Sequence, residues 1–185
     1  AASDALLADP DKELIRIITD GRSAGSIKST LNAMLSSADE SKELLSTDTM
    51  RVINHLRDAM QELDITLASG LNSAPEEALY PLVTALAALS GLMQESMIRG
   101  IGWRFMELGK RIERALQIIN TVRCLVTPVT GEGDQPTLLT ALLVSMEVLI
   151  TYRRRGRQRR GIELGLELVM LDGSNPRSLL FQLER

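Results

Sequence analysis

An all-α fold follows from three features of the 185-residue sequence. Apolar residues recur at steps of three and four along most of the chain, a spacing that gathers side chains on one helical face. Aromatic residues make up only 3% of the composition, while Leu, Ala, Met and Ile dominate, a mixture that favours helix over sheet. No sustained alternation of apolar and polar residues marks a strand. With 44% hydrophobic residues the chain can bury one sizeable core, so the expectation is one domain over residues 1–185, a single antiparallel-type bundle of about six to eight helices.

Each element has its own signals. Pro10 with acidic Asp11 and Glu13 opens a short helix through Leu14, Ile15, Ile17 and Ile18, which Asp20-Gly21 ends. Ser23 or Ser26 caps a second helix carrying Ile27, Leu31, Met34, Leu35 and Ala38. From Thr47 or Asp48 a third runs through Met50, Ile53, Leu56, Met60, Leu63 and Leu67, the cleanest seam in the chain. Ala74-Pro75-Glu76-Glu77 starts a fourth, whose apolar run from Tyr80 to Met93 reads as a core helix.

Gly100 and Gly102 mark a turn before a fifth helix from about Trp103 to Val126. Its most apolar face holds Phe105, Leu108, Ile112, Leu116 and Ile119. Glu113 falls between that face and the polar one, which predicts partial burial against an Arg from elsewhere, with Arg153, Arg154 and Arg177 as candidates. Pro128, Gly131 and Gly133 give a loop from Thr127 to Gln135. A sixth helix then runs from Asp134 and Pro136 through Leu138, Leu142, Leu143, Met146 and Leu149 into Tyr152 and the basic run. Ile162 to Leu171 reads as a short apolar helix. Asn175 caps a terminal one, with Pro176 at its first position and Leu179, Leu180 and Leu183 along it.

The net charge of −3 conceals an asymmetry. Residues 1–98 carry seven basic and fifteen acidic side chains, and residues 99–185 carry fourteen and nine, so one end of the molecule attracts anions. The single Cys124 excludes an internal disulfide and reads as a small buried hydrophobe; the single His55 reads as a surface or rim residue. One His and one Cys offer no nucleophilic triad and too little ligand chemistry for a zinc site, so neither a catalytic residue nor a metal ligand is assigned. No basic-then-apolar leader opens the sequence and no apolar run is long enough to span a bilayer. The expectation is a cytoplasmic chain with no membrane contact.

Three polar constellations carry whatever chemistry exists. They are Arg111, Glu113 and Arg114; Tyr152 with Arg153, Arg154 and Arg155, extended by Arg157, Arg159 and Arg160; and Asp172-Gly173-Ser174-Asn175-Pro176-Arg177-Ser178. Guanidinium forks suit phosphate or carboxylate. The acidic overall balance and scarcity of stacking aromatics argue against nucleic acid. Each group also has a structural reading, as an ionic tie between helices or as an ordinary helix cap.

At these residues the sequence resembles the alpha-E family, a bacterial helical domain with a Glu-Arg motif. The matching segments are SADESKELLSTDTMRVINHL, GLMQESMIRGIGWRFMELGKRIERA and YRRRGRQRRGIELGLELVMLDGSNPRSLLFQL. The family typically begins with a further helix bearing its own Glu-Arg motif, and no segment of this sequence matches it. The resemblance implies the company of a circularly permuted ATP-grasp ligase module, in cis or in trans, and so a role in forming or processing peptide-like amide bonds. ATP and Mg would belong to that module, and no cofactor is expected in this domain. A peptide or acidic ligand, the ligase module itself, or a second copy of the chain are the expected partners. Arg111, Glu113, Arg114, Tyr152, Arg153, Arg154, Arg155, Asp172, Asn175, Arg177 and Ser178 are the candidate binding or signature positions.

Overall fold

The computed structural model describes residues 8–68, 70, 75–126, 134–156 and 161–184. Among these there are nine α-helices and no strand. Contacts group the chain into two units, residues 1–99 and 100–185.

In the first unit, α1 (Pro10–Thr19) begins where the Asp9 side chain accepts the Lys12 amide. Helix α2 (Ile27–Glu40) is capped by Ser26, whose Oγ accepts the Ser29 amide at 3.0 Å. Helix α3 (Thr47–Ala68) follows a short 3₁₀ turn, with Ser46 Oγ accepting the Thr49 amide. Its expected seam is the core: Ile53, Leu56, Leu63 and Leu67 are buried and pack with Ile18, Leu31, Leu35 and Leu82. Each such side chain contributes roughly 2 kcal/mol by leaving water. Helix α4 (Pro75–Ser96) packs along α3. It fully buries only Leu82, and Tyr80 and Val83 stand outward, so its apolar run is a half-buried face and not the core helix that the sequence suggests. His55 is exposed on α3.

In the second unit the long α5 (Ile101–Val126) packs against α6 (Gln135–Ser145) and against the terminal α9 (Leu179–Leu183). The core is Ile118, Leu142, Leu143, Val148 and Val169. The expected sixth helix is in fact two, α6 and α7 (Leu149–Arg155), bent by 118°. Glu147 makes the break: its φ is +52°, a left-handed conformation that costs a non-glycine residue roughly 1 kcal/mol or more. The Glu147 amide donates to Val144 O and the Val148 amide to Leu143 O, both at 2.9 Å. This is the helix-ending motif that usually places Gly at that position.

Helix α8 (Ile162–Leu166) continues into a π-helical turn, Glu167–Leu171. A Cβ on Gly165 would lie 2.5 Å from Leu139 Cδ1, so this glycine lets α8 approach α6 closely. The expected apolar face of α5 is mostly turned outward: Phe105, Leu108, Ile112 and Leu116 are half or more exposed, while Glu107, Ala115 and Ile118 are buried. Cys124 is exposed, contrary to its reading as a buried hydrophobe. Among the described residues no single helix is long and apolar enough to cross a membrane. Residues 127–133 of the expected loop, and Arg157, Arg159 and Arg160, lie outside the described residues.

Candidate functional site

The site is built on α5. Four-residue spacing stacks Glu107 beneath Arg111, and Lys110 follows at three. Glu107 is therefore the buried acid of this helix, with Oε1 2.8 Å from Arg111 Nη2 and Oε2 2.7 Å from Lys110 Nζ. The Arg111 guanidinium also lies over the Phe181 ring, 5.7 Å from its centroid, tying α5 to α9. Its Nε is buried with no hydrogen-bond partner.

Glu113 behaves otherwise than its helical position suggests. It is exposed and makes no ion pair among the described residues. The ionic tie expected of Glu113 belongs to Glu107, six residues earlier on the same helix. The physical reason lies in the reversed exposure of α5: the face next to Glu113 is the outward one, so a carboxylate beside it stays hydrated. Glu107 was legible all the same, because Glu followed by Lys and Arg at three and four residues is the favourable helical order for ion pairing.

The segment from Asp172 to Ser178 is a turn that satisfies itself. Asp172 Oδ1 accepts the Ser174 amide at 2.9 Å, and Oδ2 accepts from Arg155 Nη1 at 2.7 Å. The Ser174 hydroxyl, then the Ser174 amide and Arg155, hold the Asp172 carboxyl below its ordinary 3.8 against the opposing effect of burial. Asn175 Nδ2 donates to Leu168 O at 2.8 Å, and its Oδ1 accepts the Arg177 amide at 3.0 Å. Ser178, fully buried, donates to Asp172 O at 2.6 Å and accepts the Phe181 amide at 3.1 Å. Ser178, and not Asn175, is thus the N-cap of the terminal helix. Asn175 instead anchors the turn to the π-helical segment, and Pro176 lies before the helix.

Among the basic residues, Tyr152 Oη accepts the Gly161 amide at 2.9 Å and donates to Gly161 O at 3.3 Å, closing the two ends of the run on each other. Arg155 is consumed by Asp172. Arg153 and Arg154 are exposed and pair with no acid among the described residues. Arg177 Nη2 meets Glu147 Oε2 at 2.7 Å, in a pair open to solvent.

What the fold brings together is Arg114 and Arg177. Both line a cleft of about 440 Å³ with Gln117, Ile118, Thr121, Ser145, Met146, Pro176 and Gln182. Its walls alternate apolar patches with hydroxyl and amide groups. A second, more apolar cavity of about 550 Å³ lies on α5 among Trp103, Leu108, Arg111, Ile112 and Leu116. Gln182 lines both, and its Nε2 donates to Pro176 O at 2.6 Å. Among the described residues no three His, Cys, Asp or Glu groups converge as metal ligands would. Guanidinium forks are of a chemistry that suits an anion, and among the described residues lining the cleft no carboxylate or imidazole stands beside the Thr121 and Ser145 hydroxyls.

The class is that of an all-α domain, helical throughout the described residues and carrying a Glu-Arg pair, Glu113 and Arg114, on its long helix. The chain belongs to the Alpha-E family, described as a predicted alpha-helical domain with a conserved ER motif, which matches residues 2–185. It is similar to the uncharacterized protein Rv2567 of Mycobacterium tuberculosis, 32% identical over 191 residues covering 98% of this chain, and to the uncharacterized protein Mb2597 of Mycobacterium bovis to the same extent. The chain spans about a fifth of the length of these relatives, 20% in each. No solved structure matches it.

Proposed function

We propose that this chain is a non-catalytic accessory domain of an ATP-grasp-associated amide-ligase system, and that it binds the ligase module or an acidic or peptide substrate through the Arg114 and Arg177 cleft. The observation that carries the reading is the convergence itself. Arg114 comes from the Glu-Arg pair and Arg177 from the Asp172–Ser178 turn, and the two signature segments meet at one concave surface. Two guanidiniums, flanked by amide and hydroxyl side chains, suit a carboxylate next to a peptide bond. ATP and Mg serve the ligase module and not this domain.

The test is ligation by the ATP-grasp module in the presence of this domain, wild type against Arg114→Ala with Arg177→Ala. The expected result is a raised KM for the acidic acceptor with an unchanged circular dichroism spectrum. Ligation that proceeds identically without the domain would overturn the reading.

The second reading is a structural or oligomerising module, favoured by the outward apolar stripe of Phe105, Leu108, Ile112 and Leu116. It predicts a concentration-dependent mass in sedimentation that a Phe105→Glu, Ile112→Glu variant abolishes.

A further inference from the structure

Glu147 presents a contradiction that the fold does not need. It occupies the left-handed position of a helix-ending motif whose backbone bonds are complete without its side chain, and at which glycine is the usual residue. Among the described residues it is the one non-glycine with positive φ. A side chain kept where the backbone favours none calls for a use of the side chain. Among the described residues the ion-pair partner of the Glu147 carboxylate is Arg177, at 2.7 Å, and Arg177 lines the cleft.

A purely structural tie is a poor account of this pair. The side chains are 69% and 49% exposed, a setting in which an ion pair adds little to stability and exchanges freely with water. The same exposure makes the pair easy to open. Beside it, Arg114 lines the cleft with no acid on it among the described residues, as the ion pairs of this unit belong to other groups. One guanidinium is thus vacant and the other is occupied by a carboxylate of the chain itself.

We infer that Glu147 is a built-in competitor for the carboxylate of the ligand. A peptide carboxylate entering the cleft takes Arg177 from Glu147 and engages Arg114, and the released Glu147 returns to solvent. Gln117 lines the same space with an amide that can donate and accept, and the Thr121 and Ser145 hydroxyls, whose hydrogens go to Gln117 O and Leu142 O, add acceptors for the adjoining peptide N–H. A phosphate group is the poorer match, because Glu147 offsets one of the two cationic charges for as long as it stays near. The inference rests on the reading of this cleft as a ligand site and names the ligand chemistry and its regulation.

The experiment uses the 185-residue chain as wild type, Glu147→Gln, Glu147→Gly, and Arg177→Ala combined with Glu147→Gln. The probes are acetylated Ala-Ala-Gln as the free acid, acetylated Ala-Ala-Glu as the C-terminal amide, acetylated Ala-Ala-Gln amide with no carboxylate, and inorganic phosphate. Titration calorimetry gives affinity and Arg Nε resonances give location. Either carboxylate peptide is expected to bind Glu147→Gln and Glu147→Gly about ten-fold more tightly than wild type, the scale of one charge-assisted hydrogen bond regained. Arg177→Ala combined with Glu147→Gln abolishes this gain, and Glu147→Gly leaves thermal stability unchanged or raised. The free acid and the amide separate a chain-terminal carboxylate from a side-chain one. Wild-type binding that shifts Arg114 and Arg177 but does not tighten on removing the Glu147 charge sinks the competitor and leaves the cleft standing. Phosphate binding tighter than both carboxylate peptides overturns the ligand class. Absence of carboxylate binding to every variant overturns both the competitor and the cleft.

Discussion

Arg155 reaches across 17 positions to Asp172, Nη1 to Oδ2 at 2.7 Å, and fastens the end of α7 to the turn before α9. Because Asp172 is held below its ordinary 3.8, its contribution to stability is complete above the normal aspartate range and is lost as pH falls through the lowered value. Thermal melts from pH 7 down to pH 2 should therefore show Asp172→Asn less stable than wild type near neutrality. The gap should close below about pH 4, where an unfolded-state aspartate also protonates. A constant gap across the range would show that Asp172 acts by shape and not by charge.

Ser178 combines an N-cap with full burial, bonding Phe181 and Asp172 through one hydroxyl. Ser178→Ala removes the cap bond to the Phe181 amide, while Asp172 O keeps the Asn175 amide, an expected loss of about 1 kcal/mol. Urea denaturation reads it directly, with Ser174→Ala, on the exposed side of the same turn, as the milder comparison.

Glu107 and Glu113 separate burial from sequence motif. Glu107→Ala strips a nearly buried Arg111 of its counter-ion and should cost about 3 kcal/mol. Glu113→Ala, on an exposed position without an ion pair, should stay within about 0.5 kcal/mol. Equal losses in chemical denaturation would mean that Glu113 is held by something other than the contacts of this fold.

Gly165→Ala brings a methyl group onto Leu139 Cδ1, the far end of a side chain that can turn aside, and should destabilise by no more than about 1 kcal/mol. Combining it with Leu139→Ala should recover part of that loss, and a double-mutant cycle with no coupling would disprove the contact.

The helices were legible because periodicity and caps agree: the α3 seam, the Pro75 start and the Ser26 cap all reappear as the sequence indicates. The break at Glu147 was not, since neither Gly nor Pro stands there and the apolar spacing runs through from Leu138 to Leu149. The outward face of α5 was misread for a related reason. Periodicity finds an apolar stripe without saying which neighbour covers it, and α9 packs instead over the side that carries Arg111, Ala115 and Ile118. Arg177 was recognised as a candidate, but its meeting with Arg114 depends on a turn whose shape follows from hydrogen bonds between Asp172, Asn175 and Ser178. No spacing rule encodes that proximity.

The 118° bend between α6 and α7 separates two media. On one side of it Leu142 and Leu143 are dry, and on the other Arg153 and Arg154 are hydrated, although barely ten residues divide them. A straight rod through this stretch would have to submerge guanidiniums or wet leucines. The sign of a single backbone dihedral therefore acts as a partition between oil and brine, and a β-branched residue at position 147, which resists that sign, would oblige the chain to choose one of the two errors.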